Sequence, residues 1–122
     1  MLMIRKHTIS FKHAYDGLMS ALVSQPNYRI HLFLSFLSLA GGIYFRIQKE
    51  EFLIIGVLIT LGLVIETVNT AIEETCDAID SAIRPDIKIA KDTAAAAMLI
   101  FAAGSTILAG SIFIPRIIRL FI

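Results

Sequence analysis

The chain has 122 residues, of which 57% are hydrophobic and 17% charged, and its formal net charge is +1. Its mean hydropathy of +0.77 exceeds what a soluble domain needs to fill one core, so a membrane is the expected solvent. A charge near zero without a basic block gives no support to nucleic-acid binding, and a single cysteine excludes an internal disulfide.

The first predicted element is an amphipathic helix at about residues 8–24. Its apolar side chains recur at spacings of four, three and four residues, as on one face of a helix: Phe11, Tyr15, Leu18 and Leu22. The segment is too polar to cross a membrane, so we expect it to lie on the membrane surface. Pro26 ends this helix, because proline disfavours helical backbone at the residue before it.

Three apolar stretches follow and predict three transmembrane helices, at about residues 28–47, 52–76 and 93–114. The second stretch is apolar for only 14 residues. That is too few to cross about 30 Å of hydrocarbon, so its helix must continue into the polar run that starts at Glu66. The third is rich in alanine and glycine, which lets helices approach closely in lipid. We expect one all-α membrane domain over residues 1–122.

The distribution of positive charge predicts the orientation in the membrane. Lysine and arginine number four before the first span, two in the first turn, three in the second loop and two after the last span. The two sides of the membrane therefore carry seven and four. The positive-inside rule then places the N-terminus and the second loop in the cytoplasm.

The second span carries a polar stripe. At 100° per residue, four carboxylates and one amide fall within about 90° of the helix circumference: Glu66, Asn69, Glu73, Asp77 and Asp80. The helix rise puts Glu66 about 21 Å from Phe52 and Glu73 about 32 Å from it, so Glu66 is expected below the head groups and Glu73 at the surface. A charge at membrane depth costs at least roughly 2.5 kcal/mol, and such a residue normally faces a bundle interior and has a function.

This stripe is typical of a site for phosphoryl transfer at a membrane surface. A carboxylate just below the head groups can take a proton from the hydroxyl of an amphiphile. A second carboxylate at the surface can hold Mg²⁺ bound to a water-soluble phosphate donor. Lys91 and Asp92, just before the last span, can add a phosphate contact and a further ligand. The alternative is that Glu66 is protonated, or pairs with Arg29 or His31, to hold the helices together.

Two other classes of protein fit part of the pattern. A small oligomeric channel, holin or proton-coupled transporter would line an ion path with Glu66 and Glu73. The outer half of the second span has no ionisable residue to continue such a path. A structural membrane subunit without activity would leave the stripe unexplained.

The run from Glu66 to Asp77, ETVNTAIEETCD, resembles the signature E-x-x-N-[ST]-[SA]-I-E-x-x-x-D of the bacterial small diacylglycerol kinase family. The resemblance covers nearly the whole chain and includes residues 11–17, 26–31, 90–92 and 94–97. Residues 11–14 and 27–31 are more similar to the undecaprenol kinase branch of the family than to its Gram-negative branch.

The resemblance implies a homotrimer in the bacterial plasma membrane, with active sites shared between protomers, that uses ATP and Mg²⁺ to phosphorylate undecaprenol or diacylglycerol. It implies that Glu66 is the base acting on the lipid hydroxyl, that Asn69 is a positioning group and that Glu73 is a metal ligand. We place Arg29 with Glu66 and Asn69 at the lipid substrate. The residues expected at the nucleotide are Gln25, Glu73, Asp77, Lys91 and Asp92.

One departure from the family pattern concerns the metal. Family members usually carry a glutamate, which helps to hold the ATP-bound metal, where this chain has Gln25. A glutamine carbonyl ligates Mg²⁺ without a charge, so we expect weaker binding there. Either the protein works with lower metal affinity, or another carboxylate such as Asp92 compensates, or this copy is impaired.

Overall fold

The computed structural model describes residues 2–80, 82 and 84–122, and within them the chain forms four α-helices and no strand. The helices are α1 (Leu2–Ser24), α2 (Pro26–Tyr44), α3 (Lys49–Ile79) and α4 (Pro85–Ile118). α3 packs against both α2 and α4, and α1 contacts α2 and α3. The all-α class is therefore confirmed. We name the two ends of the bundle after the α2–α3 turn (the turn end) and the α3–α4 loop (the loop end).

α1 is longer than the predicted surface helix, because it begins at Leu2 rather than near residue 8. The predicted apolar face remains uncovered by the rest of the chain, since Phe11 is 77% and Tyr15 61% exposed. Ala21, near the end of α1, is buried. The exposed aromatic face is suited to a membrane surface.

The break between α1 and α2 is set by Pro26. Gln25 has extended backbone (φ −104°, ψ 110°), which suits a residue before proline, and Pro26 occupies the first turn of α2, where a missing N–H costs nothing. At the other end of α2 the chain reverses through Arg46, whose φ is 51°. Gly42 allows this turn to pack closely, because a Cβ there would lie 2.7 Å from Cε1 of Phe52.

α3 is one continuous helix of 31 residues, about 46 Å long. A capping box starts it: the Gln48 side chain accepts a hydrogen bond from the helix backbone, and Glu51 Oε2 accepts one from Gln48 N at 2.8 Å. The helix passes through Glu66 without a break and ends at Ile79, as the short apolar stretch requires.

Two helices, α3 and α4, are long and apolar enough to cross a membrane. The core helix of a soluble protein passes the same test, but only 17% of the apolar part of α3 and 6% of that of α4 are buried. The chain exposes 9274 Å², against about 6,500 Å² for a globular protein of its mass. Many of the exposed side chains are large and apolar, which indicates that lipid or further copies of the chain cover them.

The hydrophobic core lies at the turn end, where one cluster joins α3, α4 and the α2–α3 turn: Ile47, Ile55 and Ile112, with Phe45, Phe52 and Phe113 packed against it. An ion pair between α3 and α4 lies at the same end. Arg116 donates from Nη1 to Glu51 Oε1 at 3.0 Å and from Nη2 to Glu51 Oε2 at 2.7 Å. Two parallel hydrogen bonds of this kind fix geometry as well as charge.

We predict that Glu51→Gln lowers the melting temperature at neutral pH, and that the difference from the unmodified protein shrinks in acid. The backbone N–H of Gln48, and then Arg116, hold the pKa of Glu51 below its ordinary value. A carboxylate with a lowered folded-state pKa stabilises the fold above its ordinary pKa and loses this effect as the pH falls through the folded-state value. Thermal unfolding in detergent at several pH values measures both effects.

Glu50→Gln is the matched control for this prediction, because Glu50 is exposed and lies in the same first turn of α3. It changes the charge near the helix N-terminus by the same amount without touching Arg116. Equal melting temperatures for the two variants at neutral pH would contradict a stabilising role of the Glu51–Arg116 pair.

Candidate active site

The stripe on α3 passes from the bundle interior to the loop end. Glu66 is 1% exposed and Asn69 9%, Glu73 is partly buried, and Asp77 is exposed. Asp80 is an exception to the predicted stripe, because α3 ends at Ile79 and Asp80 has extended backbone. The stripe on the helix therefore consists of four residues, and their side chains become more exposed toward the loop end.

Glu66 is not paired with either of the two partners considered for it. Within the described residues, Arg29 donates to the carbonyl of Val23 at 3.3 Å, and His31 Nε2 lies 3.3 Å from the carbonyl oxygen of Ile59. A carbonyl only accepts, so Nε2 of His31 carries the donated proton. The buried carboxylate therefore forms no ion pair with Arg29 or His31 that would join the helices, and it remains free to accept a proton.

His31 is wedged between α3 and α4. Its ring centroid lies 5.7 Å from that of Phe101 on α4, and the ring crosses α3 at Gly62. A Cβ at Gly62 would lie 2.1 Å from Cε1 of His31 and 2.6 Å from Cε1 of Phe101. Gly62 is one helical turn before Glu66, so His31 occupies the level just below the buried carboxylate, on the side toward the turn end.

We predict that Gly62→Ala destabilises the protein, by roughly 1–3 kcal/mol, because the methyl group would displace a hydrogen-bonded ring and a packed ring together. Gly56→Ala on the same helix is the control, since a Cβ there meets no atom within 4 Å. Alanine has the higher helix propensity, so this control is expected to be neutral or stabilising. Chemical or thermal unfolding in detergent gives the difference. Two equally stable variants would mean that the His31 contact is easily rearranged.

Asn69 and Glu73 act as a pair one turn apart on α3. Asn69 Nδ2 donates to Glu73 Oε1 at 3.2 Å, which fixes the orientation of both side chains. Asn69 Oδ1 is buried and has no hydrogen-bond partner among the described residues. A buried acceptor without a partner is uncommon in proteins, and here it is positioned to accept a hydrogen bond from a bound ligand or water.

A polar pocket of about 300 Å³ lies at the loop end, and its lining on α3 starts at Asp77, one turn beyond Glu73. Three acidic and three basic side chains line it: Asp77, Asp80, Asp92, Arg84, Lys88 and Lys91. Lys91 Nζ donates to Asp77 Oδ1 at 2.9 Å, and Lys88 donates to Asp92. The hydrogen bond that Lys91 donates to Asp77 raises the pKa of Lys91, so this lysine remains a cation.

The structure brings together three of the residues predicted at the nucleotide, Asp77, Lys91 and Asp92, in this one pocket. It adds Arg84 and Lys88, which the sequence analysis missed. The spacing of Lys88 and Asp92, four residues apart on a helix, is the signal that would have indicated their pairing. The other two residues predicted at the nucleotide lie outside the pocket lining: Gln25, the N-cap of α2, and Glu73, one turn before Asp77 on α3. Arg29, predicted at the lipid, is exposed and also lies outside the lining.

The donor set fits a metal carried by a nucleotide better than a metal held by the protein alone. Within the described part of the chain, no three side chains of His, Cys, Asp or Glu converge. The oxygen donors nearest the pocket along α3 are Glu73 and, one turn later, Asp77. Mg²⁺ in phosphoryl-transfer sites is commonly held by one or two carboxylates together with substrate phosphates and water. This chain can supply that number.

The chain matches the family model of prokaryotic diacylglycerol kinase over residues 12–113. It is 35% identical over 108 residues to the undecaprenol kinase of Bacillus subtilis, and the match covers 88% of each chain. It is 28% identical over 115 residues to the diacylglycerol kinase of Synechocystis sp., and this match covers 93% of the chain and 66% of that relative.

Both relatives are named as kinases of a lipid, so the apolar helices, the buried carboxylate and these matches together define the class of a membrane lipid kinase. The chain belongs to the prokaryotic diacylglycerol kinase family. Family membership favours a lipid kinase over a channel or a structural subunit.

Proposed function

We propose that this protein transfers the γ-phosphoryl group of ATP to the hydroxyl of a membrane lipid, undecaprenol in first place and diacylglycerol in second. The observation that carries the proposal is the buried Glu66, which has no ion-pair partner among the described residues. It is followed along α3 by the Asn69–Glu73 pair and then by the charged pocket. Undecaprenol comes first because the match to the undecaprenol kinase is higher in identity and covers more of the relative.

In the proposed mechanism, Glu66 accepts the proton of the lipid hydroxyl as the lipid oxygen attacks the γ-phosphorus. The new bond joins that oxygen to phosphorus, the bond from phosphorus to the β–γ bridging oxygen breaks, and ADP leaves. Asn69 positions Glu73 through its Nδ2 and offers Oδ1 to the bound substrate. Catalysis of this type depends on positioning and on neutralisation of phosphate charge more than on covalent chemistry.

The nucleotide is proposed to bind at the loop end. Lys91 and the other cations of the pocket supply positive charge for the phosphates, in exchange for their present contacts with Asp77 and Asp92. Glu73 and Gln25 are the proposed ligands of Mg²⁺. The ion, when bound, would neutralise phosphate charge. Arg29, at the start of α2 and exposed, is proposed to contact the lipid head group.

We propose that α2 is a third membrane span, beside α3 and α4. It has 19 residues, about 28 Å, which is close to the thickness of the hydrocarbon core. Three spans place the N-terminus and the loop end on the same side of the membrane, and the distribution of lysine and arginine favours the cytoplasm for that side. The proposed location is the plasma membrane of a bacterium, with the nucleotide pocket in the cytoplasm.

An exposed seam on α3 supports a proposal of self-association. Its apolar and small residues alternate in spacing between three and four along the helix, and all are exposed: Ile54, Val57, Leu61, Val64, Val68, Ala71, Thr75 and Ala78. This heptad pattern is typical of helices that pack side by side in a coiled coil. The seam lies on the side of α3 opposite Glu66. We propose a homotrimer packed through α3, with the sharing of active sites that the family resemblance implies.

We predict that Glu66→Gln lowers lipid phosphorylation by about 10²–10⁴-fold, because the amide cannot accept the proton of the hydroxyl. Purified protein is incubated with labelled ATP, Mg²⁺ and either undecaprenol or diacylglycerol, and label in the lipid extract is counted. Glu74→Gln is the control, since Glu74 is the exposed neighbour of Glu73 outside the stripe.

Assembly of the Glu66→Gln variant is compared by size-exclusion chromatography with light scattering, and it is expected to be unchanged. Label in neither lipid with the unmodified protein would contradict the kinase proposal. Full activity of Glu66→Gln would remove this residue from the role of base while leaving the kinase proposal intact.

We predict that Gln25→Glu lowers the Mg²⁺ concentration needed for half-maximal activity, because a charged oxygen binds the ion more tightly than a neutral one. Activity is measured over a series of Mg²⁺ concentrations at saturating ATP. Gln48→Glu at the turn end is the control for a general effect of added negative charge. An unchanged Mg²⁺ requirement in Gln25→Glu would show that residue 25 does not reach the metal.

A further inference from the structure

The turn between α2 and α3 holds an arginine where the backbone geometry favours glycine. α2 ends in a Schellman motif, in which Ile47 N donates to the Gly42 carbonyl at 3.0 Å and Arg46 N donates to the Ile43 carbonyl at 3.2 Å. Arg46 follows the C-cap and has φ 51°, the only positive φ at a non-glycine residue in the described part of the chain. Glycine is usual at this position, because left-handed backbone brings a Cβ close to the following carbonyl oxygen. The protein therefore accepts local strain to place an arginine side chain here.

Three exposed cations at the turn end have side chains without a hydrogen bond or ion pair to any described residue. We call them the turn-end cations: Arg46, Lys49 and Arg119. Lys49 begins α3, and Arg119 lies about one helical turn beyond Arg116 on α4. The acidic side chains nearby in sequence are Glu51, which Arg116 neutralises, and the exposed Glu50. The turn end is therefore a positive surface, whereas each cation of the loop-end pocket contacts an aspartate.

The turn-end cations lie at the level expected for lipid phosphate groups. α2 is about as long as the hydrocarbon core is thick, and Tyr44 at its end is 71% exposed, as is typical of tyrosine at a membrane interface. Arg46 follows Tyr44 by two residues, which places it in the head-group region. Exposed apolar side chains flank the cations in the sequence: Ile43, Leu53, Ile117 and Leu120. Positive charge beside apolar surface suits an anionic amphiphile.

Two unfavourable terms meet at this turn. The backbone at Arg46 is strained. The proposed orientation also places the turn end outside the cell, the side on which the positive-inside rule disfavours lysine and arginine. Since no described residue pairs with the turn-end cations, a bound anion is the contact that would compensate for both terms.

We propose that the turn-end cations bind the phosphate of an anionic glycerophospholipid in the outer leaflet, with Arg46 as the central contact. A guanidinium presents a planar set of donors that matches two phosphate oxygens, and Lys49 and Arg119 add positive charge. The site lies at the opposite end of α3 from the nucleotide pocket. The lipid is therefore a structural ligand that joins the turn to α4, and it accepts no phosphoryl group. This inference rests on the proposed arrangement of three spans and not on the proposed chemistry.

Two substitutions at Arg46 separate the strain from the charge. Arg46→Gly removes the charge and relieves the left-handed backbone, whereas Arg46→Gln removes the charge and keeps the strain. In nanodiscs of phosphatidylcholine alone, Arg46→Gly is expected to melt at a higher temperature than the unmodified protein, and Arg46→Gln at the same temperature. Neither variant touches the proposed catalytic or nucleotide-binding residues.

The same proteins are then compared in nanodiscs that contain phosphatidylglycerol. The added anionic lipid is expected to raise the melting temperature of the unmodified protein by several degrees, and that of either Arg46 variant by clearly less. An equal rise in all three proteins would overturn the proposal. Inorganic phosphate added to phosphatidylcholine nanodiscs is expected to have no effect, and a rise as large as that from phosphatidylglycerol would overturn the assignment of a lipid.

Native mass spectrometry of the protein with phosphatidylglycerol measures the binding itself and needs no ATP. The Kd is expected to rise about fivefold in each of Arg46→Gln, Lys49→Gln and Arg119→Gln, the usual contribution of one basic residue at a membrane surface. Lys12→Gln is the matched control, because Lys12 is an exposed cation on α1 outside this group. A loss of the same size in Lys12→Gln would overturn the proposal. A protein that binds this lipid as expected but phosphorylates none would contradict the proposed function alone.

Discussion

A carboxylate placed at membrane depth has to be covered by protein, and much of this structure follows from that constraint. Glu66 directly follows the apolar part of α3, and only 1% of the residue is exposed. Left against lipid, its charge would be costly. The cover requires close packing of three helices at one level, and Gly62 permits it by leaving room for the ring of His31 beside Phe101. The turn-end core and the ion pairs hold the helices in this arrangement.

The three helices are not held together equally. α3 and α4 are joined at both ends, by Glu51 with Arg116 at the turn end and by Asp77 with Lys91 at the loop end. α2 is joined to α3 by two long contacts, from His31 to the Ile59 carbonyl at 3.3 Å and between the Tyr28 and Thr67 hydroxyls at 3.5 Å. Hydrogen bonds of such length are weak.

Since only 1% of Glu66 is exposed, a substrate reaches its carboxylate only after a helix around it moves. Among the described helices, moving α2 away from α3 breaks the weaker polar contacts.

Local patterns in the sequence were sufficient for the features that depend on residues close in the chain. The 14 apolar residues before Glu66 were too few to cross a membrane, which required α3 to continue, and the spacing of Asn69 and Glu73 placed them on one face. Contacts between distant segments were not accessible in this way. Glu51 and Arg116 are 65 positions apart. Arg46 and Lys49 are nearer to Glu51 in the sequence, and Arg119 was as plausible a partner as Arg116. α3 ends at Ile79 because the chain takes up extended backbone at Asp80, five residues before Pro85. No periodicity marks that point, and Asp80 was therefore assigned wrongly to the helical stripe.

α3 also fixes the distances between the groups of the proposed active site. Asp77 lies 11 residues beyond Glu66, about 16 Å along the axis, and Glu73 lies seven residues beyond it, about 10 Å. The charged pocket that contains Asp77 and Lys91 is therefore too far from Glu66 to hold the γ-phosphate at the attacking oxygen. A nucleotide that serves this site has to extend along α3, with its phosphate chain running from the cations of the pocket past Glu73 toward Glu66. Glu73 is then the residue at the level of the phosphates, and its orientation depends on Asn69. This order along one rigid helix keeps the lipid hydroxyl below the head groups and the soluble nucleotide at the surface, so that neither substrate has to enter the environment of the other.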